Sequence, residues 1–145
     1  MKLSSLAFES ETEIPSTYAY QGQNLSPPLE WSDVPKETQS LALMMDDPDA
    51  PAGTWTHWLV WNIPPGIERM EVGKLPAGAL EGTNSAEEKR YDGPSPPSGV
   101  HHYRFKLYAL DTVLNLPPSS HREEFEQAID GHILAQSELV GLYRA

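Results

Sequence analysis

Three short stretches of this chain carry side chains that could bind a small group or move a proton. In Asp46-Asp47-Pro48-Asp49-Ala50-Pro51, three carboxylates occupy four consecutive positions and prolines are interleaved with them. Proline fixes φ and removes a backbone donor, so the run predicts a rigid turn rather than a rung of a ladder. It reads either as a solvated acidic turn with an Asx hydrogen bond or as a carboxylate group for a divalent cation. The ligand spacing and glycine of a calcium-binding helix-loop-helix motif are missing. His57 sits in an aromatic run with Trp55 and Trp61, and His101 is followed two residues on by Tyr103. A histidine among Trp55, Leu59 and Trp61 is either a satisfied core residue or a member of a site. Asp47, His57 and the His101/Tyr103 pair can meet only if three strands adjoin. They would then form a small polar pocket walled by Trp rings, with imidazole and phenol donors facing an anion and a carboxylate fixing one imidazole tautomer. Phosphate, sulfate or carboxylate would suit it. The third stretch, Gly93-Pro94-Ser95-Pro96-Pro97-Ser98-Gly99, precedes His101 and is either a stiff polyproline-like connector or the rim of that pocket.

The elements that must position these residues show mainly a period of two, as expected where successive side chains alternate between the faces of a strand. Trp55 to Ile63 puts Trp55, His57, Leu59, Trp61 and Ile63 on one face and Thr56, Trp58, Val60 and Asn62 on the other. Both sets are largely apolar, which predicts a central strand buried on both sides. Gln39 to Met45 predicts a strand feeding the acidic turn. His101 to Leu110 predicts a half-buried strand with His101, Tyr103, Phe105, Leu107 and Ala109 facing one way. Pro64 to Gly82 and Thr83 to Gly99 read as long irregular stretches, of the kind that are usually functional in compact domains. One helix is signalled, with Ser120 and Glu123 as a capping box, Phe125, Ala128 and Ile129 as its buried stripe and Gly131 at its end. The tail from His132 to Tyr143 fits a strand face and helical turns nearly equally.

Composition limits the functions open to such a pocket. The 145 residues suit one domain spanning 1–145, with a single core. Ten Lys and Arg against 21 Asp and Glu give a formal charge of −11, which repels nucleic-acid backbones and the anionic cytoplasmic leaflet. Neither nucleic acid nor stable membrane residence is expected. No cysteine is present, so there is no thiolate nucleophile, disulfide or Cys-based metal site. Without a signal-like start or a long apolar run, a cytoplasmic location is expected. The 14 prolines, about twice a usual share of roughly 5%, fit a loop-rich β protein and disfavour a helical bundle.

Several motifs in order across the chain match one family. They are Asn24-Leu25-Ser26-Pro27-Pro28-Leu29-Glu30-Trp31, Asp47-Pro48-Asp49-Ala50-Pro51, Trp55-Thr56-His57-Trp58, Asn62-Ile63-Pro64, Gly93-Pro94-Ser95-Pro96-Pro97 and Gly99-Val100-His101-His102-Tyr103, followed by Tyr108-Ala109-Leu110-Asp111 and Gly131-His132-Ile133-Leu134-Ala135. The chain resembles the phosphatidylethanolamine-binding protein family, in its short prokaryotic branch, alongside the Raf kinase inhibitor protein relatives of eukaryotes. The resemblance implies a mainly β fold, a β-sandwich with a large antiparallel sheet packed on a smaller sheet and one or two short helices. It favours strand for the tail after Gly131. It also places the family's anion pocket on Asp47, His57, His101 and Tyr103, with Ala50, Trp55, Pro96 and Pro97 along its walls. His102 stands where the family commonly has arginine, the run from Pro97 to His101 is short, and a C-terminal helix that partly closes the pocket in animal relatives is missing. A more open site, or one covered by a second copy in a homodimer, is the implied consequence.

The function expected from these readings is that of a non-enzymatic binding protein. Its pocket takes a phosphate-like or phosphoethanolamine-like anion, without cofactor or metal, and it regulates or inhibits a partner protein such as a kinase or serine protease. The alternative is a small hydrolase or metal-dependent enzyme using His57, His101 and Asp47. Against it, no serine lies in a Gly-x-Ser-x-Gly elbow and no His-Glu-x-x-His pair occurs.

Overall fold

The computed structural model describes residues 1–145. The strands are β1 (Lys2–Ser4), β2 (Thr12–Glu13), β3 (Leu29–Ser32), β4 (Ser40–Asp47), β5 (Trp55–Ile63), β6 (Arg69–Met70), β7 (Leu80–Glu81), β8 (Val100–Leu110) and β9 (Ile133–Arg144), with one helix α1 (Arg122–Ile129) between the last two. Six strands form a large sheet in the order β2-β9-β8-β4-β5-β7, and β1-β3-β6 form a small one. Every pairing is antiparallel except the short parallel contact of β2 with the edge of β9.

The apolar alternation of the long strands makes three layers. One set of side chains, including Leu41, Leu43, Met45, Trp58, Val60, Phe105 and Leu107, packs with Leu3, Leu29, Trp31 and Met70 of the small sheet. The opposite set, including Ala42, Met44, Leu59, Trp61, Tyr108 and Leu110, packs with Phe125 and Ile129 of α1. β4 is therefore buried along its whole length, because it has a strand on either side and a layer on either face. The tail is the strand that the family resemblance favoured, running beside β8 from Ile133 to Arg144.

Three expectations need correction. β5 is buried on both faces, but it is fifth of six strands and not central; β4 and β8 occupy the middle. Ile63 leaves the face of Leu59 and Trp61 and joins the core between the sheets. The cause is a bulge: Leu41 pairs with Ile63 and Leu43 with Val60, so three steps of β5 match two of β4. Asn62 within the bulge has φ +56, and its amide exchanges two hydrogen bonds with the Leu114 backbone, at 2.9 and 2.8 Å. An extra residue in one strand reverses the parity of everything beyond it.

The third correction concerns the helix, whose N-cap is His121 rather than Ser120. Ser120 is held in the preceding turn, where its carbonyl accepts the Thr83 N–H at 2.9 Å. The reciprocal partner is accordingly Glu124, whose carboxylate accepts the His121 N–H at 2.8 Å. Glu124→Ala is expected to lower stability by about 1 kcal/mol, as a lost cap does, whereas Glu123→Ala has a smaller effect. Urea unfolding of the two variants distinguishes the registers.

Candidate functional site

The site begins with a second irregularity in the β4–β5 ladder. Met45 pairs with Trp58 and Asp46 with Thr56, so His57 has no partner on β4. Loop residue Asp92 replaces that partner: its N–H donates to the His57 carbonyl at 3.3 Å, and its own carbonyl accepts from His57 Nδ1 at 2.7 Å. Strict alternation would send His57 to the helix side with Leu59 and Trp61. The bulge turns it instead to the face of β8 that carries Tyr103, and the two rings meet edge to face with centroids 5.2 Å apart. Bulges commonly re-aim a side chain in this way beside functional sites.

Because β4 lies between β5 and β8, the ends of three adjoining strands deliver Asp47, His57, His101 and Tyr103 to one cavity of about 320 Å³. Ala50, Trp55, Pro96 and Pro97 line the same cavity, so all eight residues singled out in the sequence come together. Trp55 is 40% exposed and stands at the mouth, whereas His57 and His101 are each only 6% exposed. The segment from Gly93 to Pro97 is a rim rather than a detached connector.

The acidic turn divides its three carboxylates among three tasks. Asp46 points to the other side of the sheet, where one oxygen meets Arg122 Nη1 at 2.8 Å and Lys106 Nζ at 3.2 Å. Asp47 accepts from His101 Nδ1 at 2.6 Å and from the Asp49 N–H at 2.8 Å, the second bond being the Asx turn. Asp49 binds both the backbone N–H and the Nδ1 of His102, at 2.8 and 2.7 Å. These bonds hold the Asp49 carboxyl below its ordinary range. His102 thus ties the turn to β8 from outside the cavity.

Electrostatics differ from one pocket group to the next. Burial pushes the His57 imidazole below its ordinary value of 6.5, and the Asp92 carbonyl and nearby carboxylates offset this in part. A carbonyl can only accept, so neutral His57 carries its proton on Nδ1 and leaves Nε2 as an acceptor. Burial, and then the Asp47 charge, push the Tyr103 phenol well above its ordinary range, so it remains a donor. Its buried hydroxyl makes no hydrogen bond of good geometry within the protein, with the Ser95 backbone and the Asp47 carboxylate as its nearest polar neighbours. Unfolded chains therefore take up a proton at His57 that the folded protein resists. Stability from this group is complete above pH 6.5 and declines as pH falls below it, by at most about 1.4 kcal/mol per unit. Denaturant unfolding from pH 7.5 to 5.5, compared with His57→Gln, is expected to show a steeper loss for the unsubstituted protein.

Residues to which the sequence assigned no role hold the loop that supports His57. Asn84 Nδ2 donates to the Asp92 carboxylate at 3.1 Å and to the Arg90 carbonyl at 3.0 Å, while its Oδ1 accepts the N–H groups of Ala86 and Glu88. Asn24 Oδ1 accepts the Gly93 N–H at 2.7 Å. A Cβ at Gly93 would collide with the backbone of Tyr18 and lie 2.9 Å from that of Ala19 and Tyr20, so the two loops approach as only glycine permits. That approach brings Tyr20 to the cavity wall. Irregular loops lack a period, and only their composition marked them in the sequence. No cluster of three or more His, Cys, Asp or Glu side chains is arranged to hold a metal ion, and no helix is long and apolar enough to cross a membrane.

With this geometry in place, comparison with known proteins is specific. The family profile described as phosphatidylethanolamine-binding protein matches residues 4–144. A protein of Methanothermobacter thermautotrophicus named UPF0098 protein is 50% identical, with 99% of each chain covered. Among solved structures, a phosphatidylethanolamine-binding protein homologue from Chlamydia trachomatis superposes with a TM-score of 0.95 at 42% identity, covering 99% of this chain and 97% of its own. YbcL of E. coli, described as a member of the mammalian family of these proteins, superposes with a TM-score of 0.94 at 31% identity, covering 99% and 98%.

Proposed function

This chain belongs to the phosphatidylethanolamine-binding protein family, and we propose that it is a non-enzymatic binding protein whose pocket holds one small oxyanion, phosphate or a phosphoethanolamine-like group. The observation that carries this reading is the convergence of the Asp47–His101 pair with the unpartnered Tyr103 hydroxyl at the floor of an open cavity. A buried hydroxyl without a partner forgoes a hydrogen bond worth about 1 kcal/mol, and a bound oxyanion supplies one. His101 presents its free Nε2 from a ring that the Asp47 carboxylate orients through a 2.6 Å hydrogen bond from Nδ1. Occupation of the pocket by a group on a partner protein, such as a kinase or serine protease, would regulate that partner.

The test is calorimetric titration of metal-free protein with inorganic phosphate and with phosphoethanolamine. Saturable binding of either supports the reading. Absence of heat at millimolar ligand, with the fold intact by circular dichroism, refutes it and moves the function to an outer surface.

A further inference from the structure

A second cavity of about 320 Å³ opens on the other side of the loop that supports His57: Asp92 and Gly93 line the first cavity, Arg90 and Tyr91 this one. Its other walls are the segment around Leu25, the turn at Gly73, Trp58 of β5 and Glu81 of β7. The first two are joined by the Gly73 N–H, which donates to the Ser26 carbonyl at 2.9 Å. Leu25 and Leu75 are partly buried there, and the buried rings of Trp58 and Tyr91 meet edge to face with centroids 5.3 Å apart. Set in this apolar wall are charges that do not meet. Glu81 accepts the Trp58 indole N–H at 2.7 Å on one oxygen, and its other oxygen takes part in no hydrogen bond or ion pair. Burial pushes this carboxyl above its ordinary value of 4.5, and the Trp58 bond offsets that only in part. Lys74 lines the same cavity without an ion pair, and Arg90 gives only its Nε to Asp92, at 2.9 Å. Ser26 is 6% exposed and lines the cavity with a hydroxyl that no bond within the protein uses.

We propose that this cavity is a second ligand site and takes a small zwitterion with an apolar side chain, of the class of the free α-amino acids. The ligand carboxylate meets Lys74 and the free Nη groups of Arg90, its ammonium meets the open oxygen of Glu81, and its side chain lies on Leu25, Leu75 and Trp58. A partly buried carboxylate and an ammonium that share a cavity without pairing each lack a counter-charge, and a ligand carrying both signs supplies the two at once. Charge balance points the same way. On a chain of formal charge −11, the first cavity and those beside β1, Val34 and α1 each carry at least as many carboxylates as lysines and arginines, whereas this one has two cations against Glu81 alone. Its volume stands at the low end of the roughly 300–1,000 Å³ usual for small-molecule sites, which suits a compact ligand. The site is separate from the oxyanion pocket and does not depend on that reading.

The experiment titrates the protein with leucine, with N-acetylleucine, which lacks the ammonium, and with leucinamide, which lacks the carboxylate, and follows the indole N–H signals of the tryptophans by NMR. The Trp58 N–H bonds to Glu81 and reports this cavity, whereas Trp55 stands at the mouth of the other. The expected result is a saturable shift of the Trp58 signal by leucine. The other two compounds should each bind about tenfold more weakly, the value of one bond to a charged group. Lys74 is exposed, so Lys74→Ala keeps the fold; leucine should weaken several-fold in it and leucinamide not at all. In Glu81→Gln, leucine should fall to the affinity of N-acetylleucine, which is itself unchanged. A Trp58 signal that does not move at millimolar leucine, or a shift confined to Trp55, overturns the proposal. Equal binding of the three compounds also overturns it and leaves Glu81 as a brace for Trp58. Equal weakening of all three in both variants overturns it as well, because shape rather than charge was then lost. Both variants should bind phosphate as the unsubstituted protein does, which keeps failure of this site distinct from failure of the oxyanion pocket.

Discussion

Phosphate affinity is expected to fall roughly 10- to 100-fold in His101→Ala, because a hydrogen bond to a charged group is worth about 1.5–3 kcal/mol and about 1.4 kcal/mol is tenfold. His101 is a buried ring whose Nδ1 is 2.6 Å from Asp47, so its free nitrogen is aimed without further ordering. The substitution removes the donor and also leaves Asp47 with the Asp49 N–H as its one remaining side-chain bond. A moderate loss of stability therefore accompanies the loss of binding. Asp47→Asn separates the two effects: it keeps the turn but removes the carboxylate that orients the His101 ring, so affinity falls with little change in melting temperature. Calorimetry together with thermal unfolding provides both readouts. Unchanged phosphate affinity in His101→Ala would falsify the assignment of this residue as a donor.

The largest stability effect is expected on the opposite face of the same strand. Arg122→Ala should lower the unfolding free energy by about 3 kcal/mol, as removal of one partner leaves a buried charge uncompensated. Asp46 is only 1% exposed, and the oxygen that meets Arg122 and Lys106 is its sole paired one; the other has no partner. Arg122 also reaches Glu126 at 2.8 Å and so joins the first turn of α1 to the sheet. Lys106 remains in the variant, which keeps the loss at the lower end of the range observed for such pairs. Adding Asp46→Asn to Arg122→Ala is expected to recover part of the loss, because the buried charge is then gone. Urea unfolding checks both, and additive losses in the double variant contradict the coupling.

Much of the fold was legible because long strands repeat a simple pattern. β5 runs from Trp55 to Ile63 as the alternation predicts, β8 begins one residue before the predicted His101, and β4 extends two residues beyond Met45 into the acidic turn. The short strands β1, β2, β3, β6 and β7 were not visible, since two to four residues contain too little alternation to stand out. The capping register of α1 was misplaced by one residue. Ser120 and His121 can each stand three before a glutamate, and only the bond from Thr83 to the Ser120 carbonyl decides between them.

The eight residues singled out from sequence, by residue type, order and family resemblance, all line one cavity, whereas Tyr20 and Asp92 of its wall carried no signal. What the sequence by itself determined was the set of side chains able to do the chemistry and the strands that carry them. Both are local properties, written in residue identity and in a period of two. Tertiary structure alone decided that His57 joins that set in space. By simple alternation it belongs with Leu59 and Trp61 under α1; the unpaired position opposite β4 turns it toward Tyr103, and Asp92 takes the place of the missing strand partner. A bulge depends on how two strands and a distant loop share hydrogen bonds, and a pattern within one strand does not contain that information. The same holds for the roles of neighbouring aspartates. Asp46 and Asp47 are consecutive and chemically identical, and the pleat sends one to a structural ion pair and the other to the cavity beside His101.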